Sequence, residues 1–212
     1  MKNNRFNNAT PKGGKHTQSD VCLTPQWIID GIGVSDLDPC GWLPDGKPIV
    51  QTARKYFTEN DDGLTSEWSG TIFCNPPYSD LKSWLKKCSE YYDQTGNDVI
   101  VLCFARTETK AFQENIKNCT GINLINKRIK FLNAEGVEQG NGNAPSCLIA
   151  WGEKAFENIK NIDGLVFRKN QIELNKVNRI EIISTQRDFV QYFESKTFSI
   201  QDDGRTLKFF TK

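Results

Sequence analysis

Between residues 98 and 104 the chain reads DVIVLCF, a nearly unbroken apolar run too short for a long helix and lacking the alternation of a half-exposed strand. A run of this kind marks a strand buried on both faces, so the sheet that holds it needs helices on both sides. Neighbouring segments supply them. Leu81, Trp84, Leu85 and Cys88 recur at spacings of three and four, with Lys82, Lys86 and Lys87 mostly off that face. Thr24 and Pro25 open a short helix through Trp27, Ile28 and Ile29, which Gly31 and Gly33 end. A further helix is expected over 107–118. Strands are expected at 34–40, 54–58, 71–74, 121–125 and 147–151, with a Gly/Pro-rich loop at 41–52 and a polar loop at 133–144. Alternating strands and helices indicate an α/β fold.

The ends of the chain read differently. Residues 1–20 are rich in Asn, Lys and Gly without periodicity, which suits a polar tail. From about 155 the pattern shifts to short alternating stretches at 165–167, 180–183 and 207–210, with one helix near 186–195. The expected layout is therefore a tail (1–20), a catalytic domain (21–154) and a small α+β extension (155–212), the last a candidate for DNA recognition or self-association.

Several chemistries are excluded early. The single histidine, His16, lies in the polar tail, which argues against a Ser-His-Asp hydrolase. Seven scattered cysteines form no C-x-x-C pair, so neither a zinc site nor a disulfide framework is expected. No run of about 18 apolar residues is present, and the first twenty residues have no apolar core, so a cytoplasmic protein is expected. A net charge of +1 means that any nucleic-acid surface must be local. The clearest local excess lies between 104 and 131, where Arg106, Lys110, Lys117, Lys127, Arg128 and Lys130 face only Glu108 and Glu114.

The segment IFCNPPYS (72–79) carries the chemistry. Two prolines directly after an apolar strand stop the ladder and fix the backbone. Such a turn, at the carboxyl end of a strand in an open α/β sheet, sits where ligands bind. It would present the Asn75 amide, the Pro76 carbonyl and the Tyr78 ring in one arrangement. An amide oxygen and a carbonyl oxygen together match the two hydrogens of an exocyclic amine. Accepting them orients the amine and supports the positive charge that develops as its nitrogen attacks an electrophile. A neighbouring aromatic ring can stack on the base that carries the amine. The site suits alkylation of an amino group on a planar ring.

Taken together, LTPQWIID, DLDPCGW, RKYFTENDDGL, WSGTIFCNPPYS, VLCFARTET and KRIKF, in this order and spacing, resemble the phage-type DNA N-6-adenine methyltransferases (Dam-type) over about residues 19–151. The resemblance implies a compact Rossmann-like sheet, S-adenosylmethionine as cofactor and DNA, in duplex form, as substrate, in a phage or prophage setting. It implies that Asn75 and the Pro76 carbonyl bind adenine N6, that Pro77 holds the turn and that Tyr78 stacks on the extruded base. Thr24 and Pro25 would sit against the cofactor's methionine carboxylate, and Asp38, Pro39 and Cys40 would stand at the cofactor motif, Asp38 taking the ammonium or a structured water. Asp62, or Asp61 beside it, would hold the ribose. Arg106, Lys127, Arg128 and Lys130 would meet phosphates. One departure is plain: GWLPDGK follows DPC where a glycine-rich loop is usual, and the stretch from Gly41 to Cys74 is too short for a full pair of strand–helix units. Other acceptors with the same chemistry are cytosine N4, an RNA base and a protein glutamine. A catalytically silent DNA-binding protein on this fold is the reading from another class.

Overall fold

The computed structural model describes residues 22–140, 142 and 144–169, and the backbone of 198–202 and 207–211. The tail and the elements expected at 180–183 and 186–195 lie outside the described residues. The chain divides into two units, Met1–Lys169 and Asn170–Lys212.

The first unit is built on a seven-stranded sheet in the order β2-β1-β3-β4-β6-β5-β7. Its strands are β1 (Ser35–Asp38), β2 (Ala53–Tyr56), β3 (Ile72–Cys74), β4 (Val99–Phe104), β5 (Gly121–Ile125), β6 (Ser146–Trp151) and β7 (Gly164–Arg168). β1 pairs parallel with β2 and β3, and β3 pairs parallel with β4. β6 then runs antiparallel to both β4 and β5, so β5 points the same way as β4. β7 closes that side antiparallel to β5.

Helices α1 (Gln26–Ile32) and α4 (Glu153–Ile159) cover one face, and α2 (Leu81–Thr95) and α3 (Lys110–Asn115) the other. The alternation of β4 sorts its side chains between them. Val99, Val101 and Cys103 pack with Trp84, Leu85, Cys88 and Tyr91 of α2 and Phe112 of α3. Ile100 and Leu102 pack with Ile28, Ile29 and Ile32 of α1 and with Phe156 and Ile159 of α4. β3 repeats the division, Ile72 and Cys74 on one side and Phe73 on the other. The DVIVLCF run is thus buried by helices on both faces, with a parallel neighbour on one side only. The result is an α/β, Rossmann-like fold.

The first unit runs through Lys169, and one sequence expectation changes. α4 buries Ala155, Phe156 and Ile159 against the sheet, and Asn123 of β5 donates from Nδ2 to the carbonyls of Ile159 (2.7 Å) and Ile162 (2.6 Å), tying the α4–β7 turn into the core. The helix expected over 107–118 shortens to Lys110–Asn115 because Thr109 caps it, its Oγ1 accepting from the Phe112 N–H at 3.3 Å. The second unit contributes β8 (Phe198–Asp202) and β9 (Leu207–Thr211), an antiparallel pair. Among the described residues no helix is long and apolar enough to cross a membrane.

Candidate active site

The chain leaves β1 for β2 on one side and reaches β3 on the other, so the strand order reverses between β1 and β3. A crevice opens at the carboxyl ends of strands at such a point. Here it is a cavity of about 580 Å³, inside the usual range of about 300–1,000 Å³ for small-molecule sites. Thr24, Asp38, Pro39, Cys40, Asp62, Asn75, Pro76, Pro77 and Tyr78 all line it. Pro25 does not; it stands buried at the start of α1. Asp61 is absent from the wall as well. Its Oδ2 accepts from the Thr58 N–H (2.8 Å) and hydroxyl (2.9 Å), and these bonds hold its carboxyl below the usual range.

β3 stops at Cys74, and the two prolines lead into a single 3-10 turn, Tyr78–Asp80, that opens α2. Asn75 is fixed by its amide nitrogen. Nδ2 donates to the Cys22 carbonyl at 2.7 Å and lies 3.1 Å from the Thr24 hydroxyl oxygen. A carbonyl can only accept, so the atom facing Cys22 must be the NH₂ group. Oδ1 is left on the opposite side of the amide as its acceptor.

Asp38 ends β1 and is 5% exposed. Its Oδ2 accepts from the Thr52 hydroxyl at 2.6 Å, and its Oδ1 from the Cys40 N–H at 3.1 Å. Burial pushes its pKa up, against the pull of those bonds. The folded state therefore holds this proton more tightly than the unfolded state. The stabilising contribution is complete below the unfolded value, about 3.9, and is lost as pH rises through the folded value. Asp38→Asn, neutral at every pH, should melt above wild type at about pH 8, with the gap narrowing toward about pH 4. Paired melting curves check this; a gap that does not depend on pH would contradict it. Cys40, whose Sγ lies 3.3 Å from the Asn75 carbonyl oxygen and 3.6 Å from the Cys74 sulfur, is pushed up to about 11 by burial and serves as packing, not as a thiolate.

The loop that carries Asp62 is clamped onto α2. Lys87 Nζ donates to the Leu64 and Ser66 carbonyls, both at 2.7 Å, and Trp68 Nε1 donates to the Gly63 carbonyl at 2.8 Å. Gly63 passes so close to the Pro39 carbonyl and the Trp84 ring that a Cβ there would overlap both. The DPC turn and the Asp62 loop thereby form one wall.

Tyr78 stacks on Phe104, with ring centroids 3.8 Å apart and planes 9° from parallel, and meets Phe131 edge-on. Its hydroxyl is buried without a partner among the described residues, and burial keeps it protonated. Because β4 and β5 point the same way, Arg106 and the group Lys127, Arg128 and Lys130 share the carboxyl edge, exposed and outside the cavity. Lys127 lies over the Trp27 ring at 4.0 Å, and Lys130 pairs with Glu138 at 3.5 Å. The 133–144 loop begins as a stitched turn, Leu132 bridging to Leu23 and to Glu138.

Sequence reading missed Thr52, Trp42, Phe104 and the Cys22 carbonyl as parts of the site. Phe104 alone had a signal, being the last residue of the apolar strand. Among the described residues no group of three or more acidic, Cys or His side chains is placed to hold a metal. A family model described as DNA N-6-adenine-methyltransferase (Dam) matches residues 14–184. No curated protein matches the chain.

Proposed function

The chain belongs to the DNA N-6-adenine-methyltransferase (Dam) family, enzymes that methylate adenine N6 in DNA with S-adenosylmethionine, and from that premise we propose which of its residues perform the transfer. Asn75 Oδ1 and the Pro76 carbonyl accept the two hydrogens of the adenine amine, Pro77 keeps the turn rigid, and Tyr78 stacks on the base. The observation that carries this is the amide of Asn75, whose two donated bonds leave its oxygen as the available acceptor.

The cavity offers hydrogen-bond acceptors and apolar surface that suit the cofactor. Carboxylates of Asp38, Glu59 and Asp62 suit an ammonium and ribose hydroxyls, while Trp42, Ile49, Val50 and Tyr56 offer apolar surface to an adenine ring. When bound, S-adenosylmethionine supplies an electrophilic methyl on a sulfonium. The protein's own part is electrostatic and positional. Conjugation into the ring makes N6 a poor nucleophile, and acceptors on both of its hydrogens counter that by stabilising the charge that builds there. No tuned general base is needed before attack, and the proton leaves afterwards to water.

An adenine in duplex DNA must leave the stack to reach such a pocket, at a cost of a few kcal/mol. Arg106, Lys127, Arg128 and Lys130, all exposed, would hold the phosphates beside it. Asp62→Ala should weaken S-adenosylmethionine binding about 10–100-fold, the loss expected of one hydrogen bond to a charged group. Isothermal titration reads this directly. Unchanged affinity would move the ribose contact to another carboxylate of the wall.

A further inference from the structure

We infer that Thr24 is a positioning residue for the Asn75 amide, and that the strap Cys22–Leu23–Thr24 is the device that aims the catalytic acceptor. The inference rests on the reading of Asn75 as the N6 acceptor, and it gives Thr24 a role different from holding the cofactor's carboxylate.

A primary amide has no strong preference between its two flipped orientations. Only its surroundings decide which end faces the substrate. At Asn75 both hydrogens of Nδ2 are taken, one by the Cys22 carbonyl and one by the Thr24 hydroxyl oxygen. The flipped amide would set Oδ1 against the Cys22 carbonyl oxygen and lose that bond, while the Thr24 hydroxyl, as acceptor, holds the second hydrogen and the plane of the amide in the orientation that the carbonyl selects. Thr24 is 3% exposed, so water cannot readily replace it as the second acceptor. Donation from Nδ2 also polarises the amide and makes Oδ1 a better acceptor, an effect strengthened where the dielectric is low.

The strap is held at both ends. Leu23 and Leu132 exchange reciprocal backbone bonds at 2.8 and 2.9 Å. On its other side Pro25 leads into α1, whose Ile28, Ile29 and Ile32 are in the core. The acceptors are therefore fixed by backbone pairing and core packing, independently of any ligand. Nothing in β3 or in the NPPY turn could fix the flip alone, since those residues supply the amide and not its partners.

Thr24→Val keeps the branched shape and removes the acceptor. It should lower kcat for methyl transfer about fivefold while leaving the affinity for S-adenosylmethionine within about twofold, since one hydrogen bond is worth about 1 kcal/mol. Thr24→Ser, which restores the oxygen, should recover most of the lost kcat. In ¹⁵N-labelled protein the Asn75 side-chain NH₂ resonances should shift and broaden in Thr24→Val and return in Thr24→Ser. A raised cofactor dissociation constant with unchanged kcat would overturn the inference and return Thr24 to cofactor binding. Equal loss in the Val and Ser variants, with a matching fall in melting temperature, would also overturn it by showing a structural role. Asn75→Ala run in parallel separates the two levels. If that variant stays active, the Asn75 reading itself fails; if it is inactive while Thr24→Val has wild-type kcat, only the positioning role fails.

Discussion

Asn75→Ala should bind S-adenosylmethionine with wild-type affinity and transfer its methyl about 100–1,000-fold more slowly, the loss typical of deleting one group that stabilises developing charge. The reasoning is local. Alanine removes the acceptor for one amine hydrogen and leaves the Cys22 carbonyl and Thr24 hydroxyl without their donor. Asp38, Asp62 and the other cofactor-facing groups lie on other segments of the wall and keep their own anchors. The chemistry should therefore fail while binding survives. Calorimetric titration with the cofactor, beside single-turnover transfer to DNA, makes the comparison. Equal loss of binding and turnover would mean that Asn75 supports the cavity and does not act in the reaction.

Tyr78 should separate into ring and hydroxyl. Base–aromatic stacking is worth about 1–3 kcal/mol, so Tyr78→Ala should lower kcat/KM for DNA about 10–100-fold. The same change strips Phe104 and Phe131 of their partner, and the variant should melt below wild type. Tyr78→Phe should behave oppositely. The hydroxyl is buried without a partner among the described residues, and such a group costs about 1–3 kcal/mol. The Phe variant should therefore melt higher than wild type and keep transfer within about twofold, since the stacking ring is unchanged. Loss of transfer in Tyr78→Phe with an unaltered melting temperature would show that the hydroxyl has a partner in the complex with DNA.

The parts of the fold legible in the sequence were those dictated by burial. Six consecutive apolar residues in β4 could be satisfied only by cover on both sides, and the spacing of Trp84, Leu85 and Cys88 named the face of α2 that provides it. The proline pair after β3 and the DPC turn after β1 pointed to one sheet edge, and both line one cavity. The sense of β6 was not legible, because a buried strand has the same composition whichever way it runs. The pairing of β7 with β5 is not legible either, for a related reason. β7 is an edge strand with Leu165 and Phe167 exposed, so its pattern resembles that of an independent hairpin.

Within the site, residue types were legible and their partners were not. The resemblance puts Thr24 at the cofactor's carboxylate, and nothing in the sequence signals that its hydroxyl lies against Asn75, 51 positions away along the chain. The Cys22 carbonyl is a main-chain group and leaves no mark in a sequence. The sequence offers Tyr78 as a stacking ring, and does not show that one of its faces is covered by Phe104. Each of these depends on how loops far apart in sequence meet above the sheet, which periodicity and turn chemistry do not encode.

Identification of the methylated nucleoside tests most directly the claim that this cavity delivers a methyl to adenine. Unmethylated duplex DNA is incubated with the wild-type protein and methyl-labelled S-adenosylmethionine, digested to nucleosides and resolved by chromatography. Label confined to N6-methyladenine, and absent when Asn75→Ala replaces the wild type, is the predicted result. Label in N4-methylcytosine, or equal label in N6-methyladenine from both proteins, would contradict it.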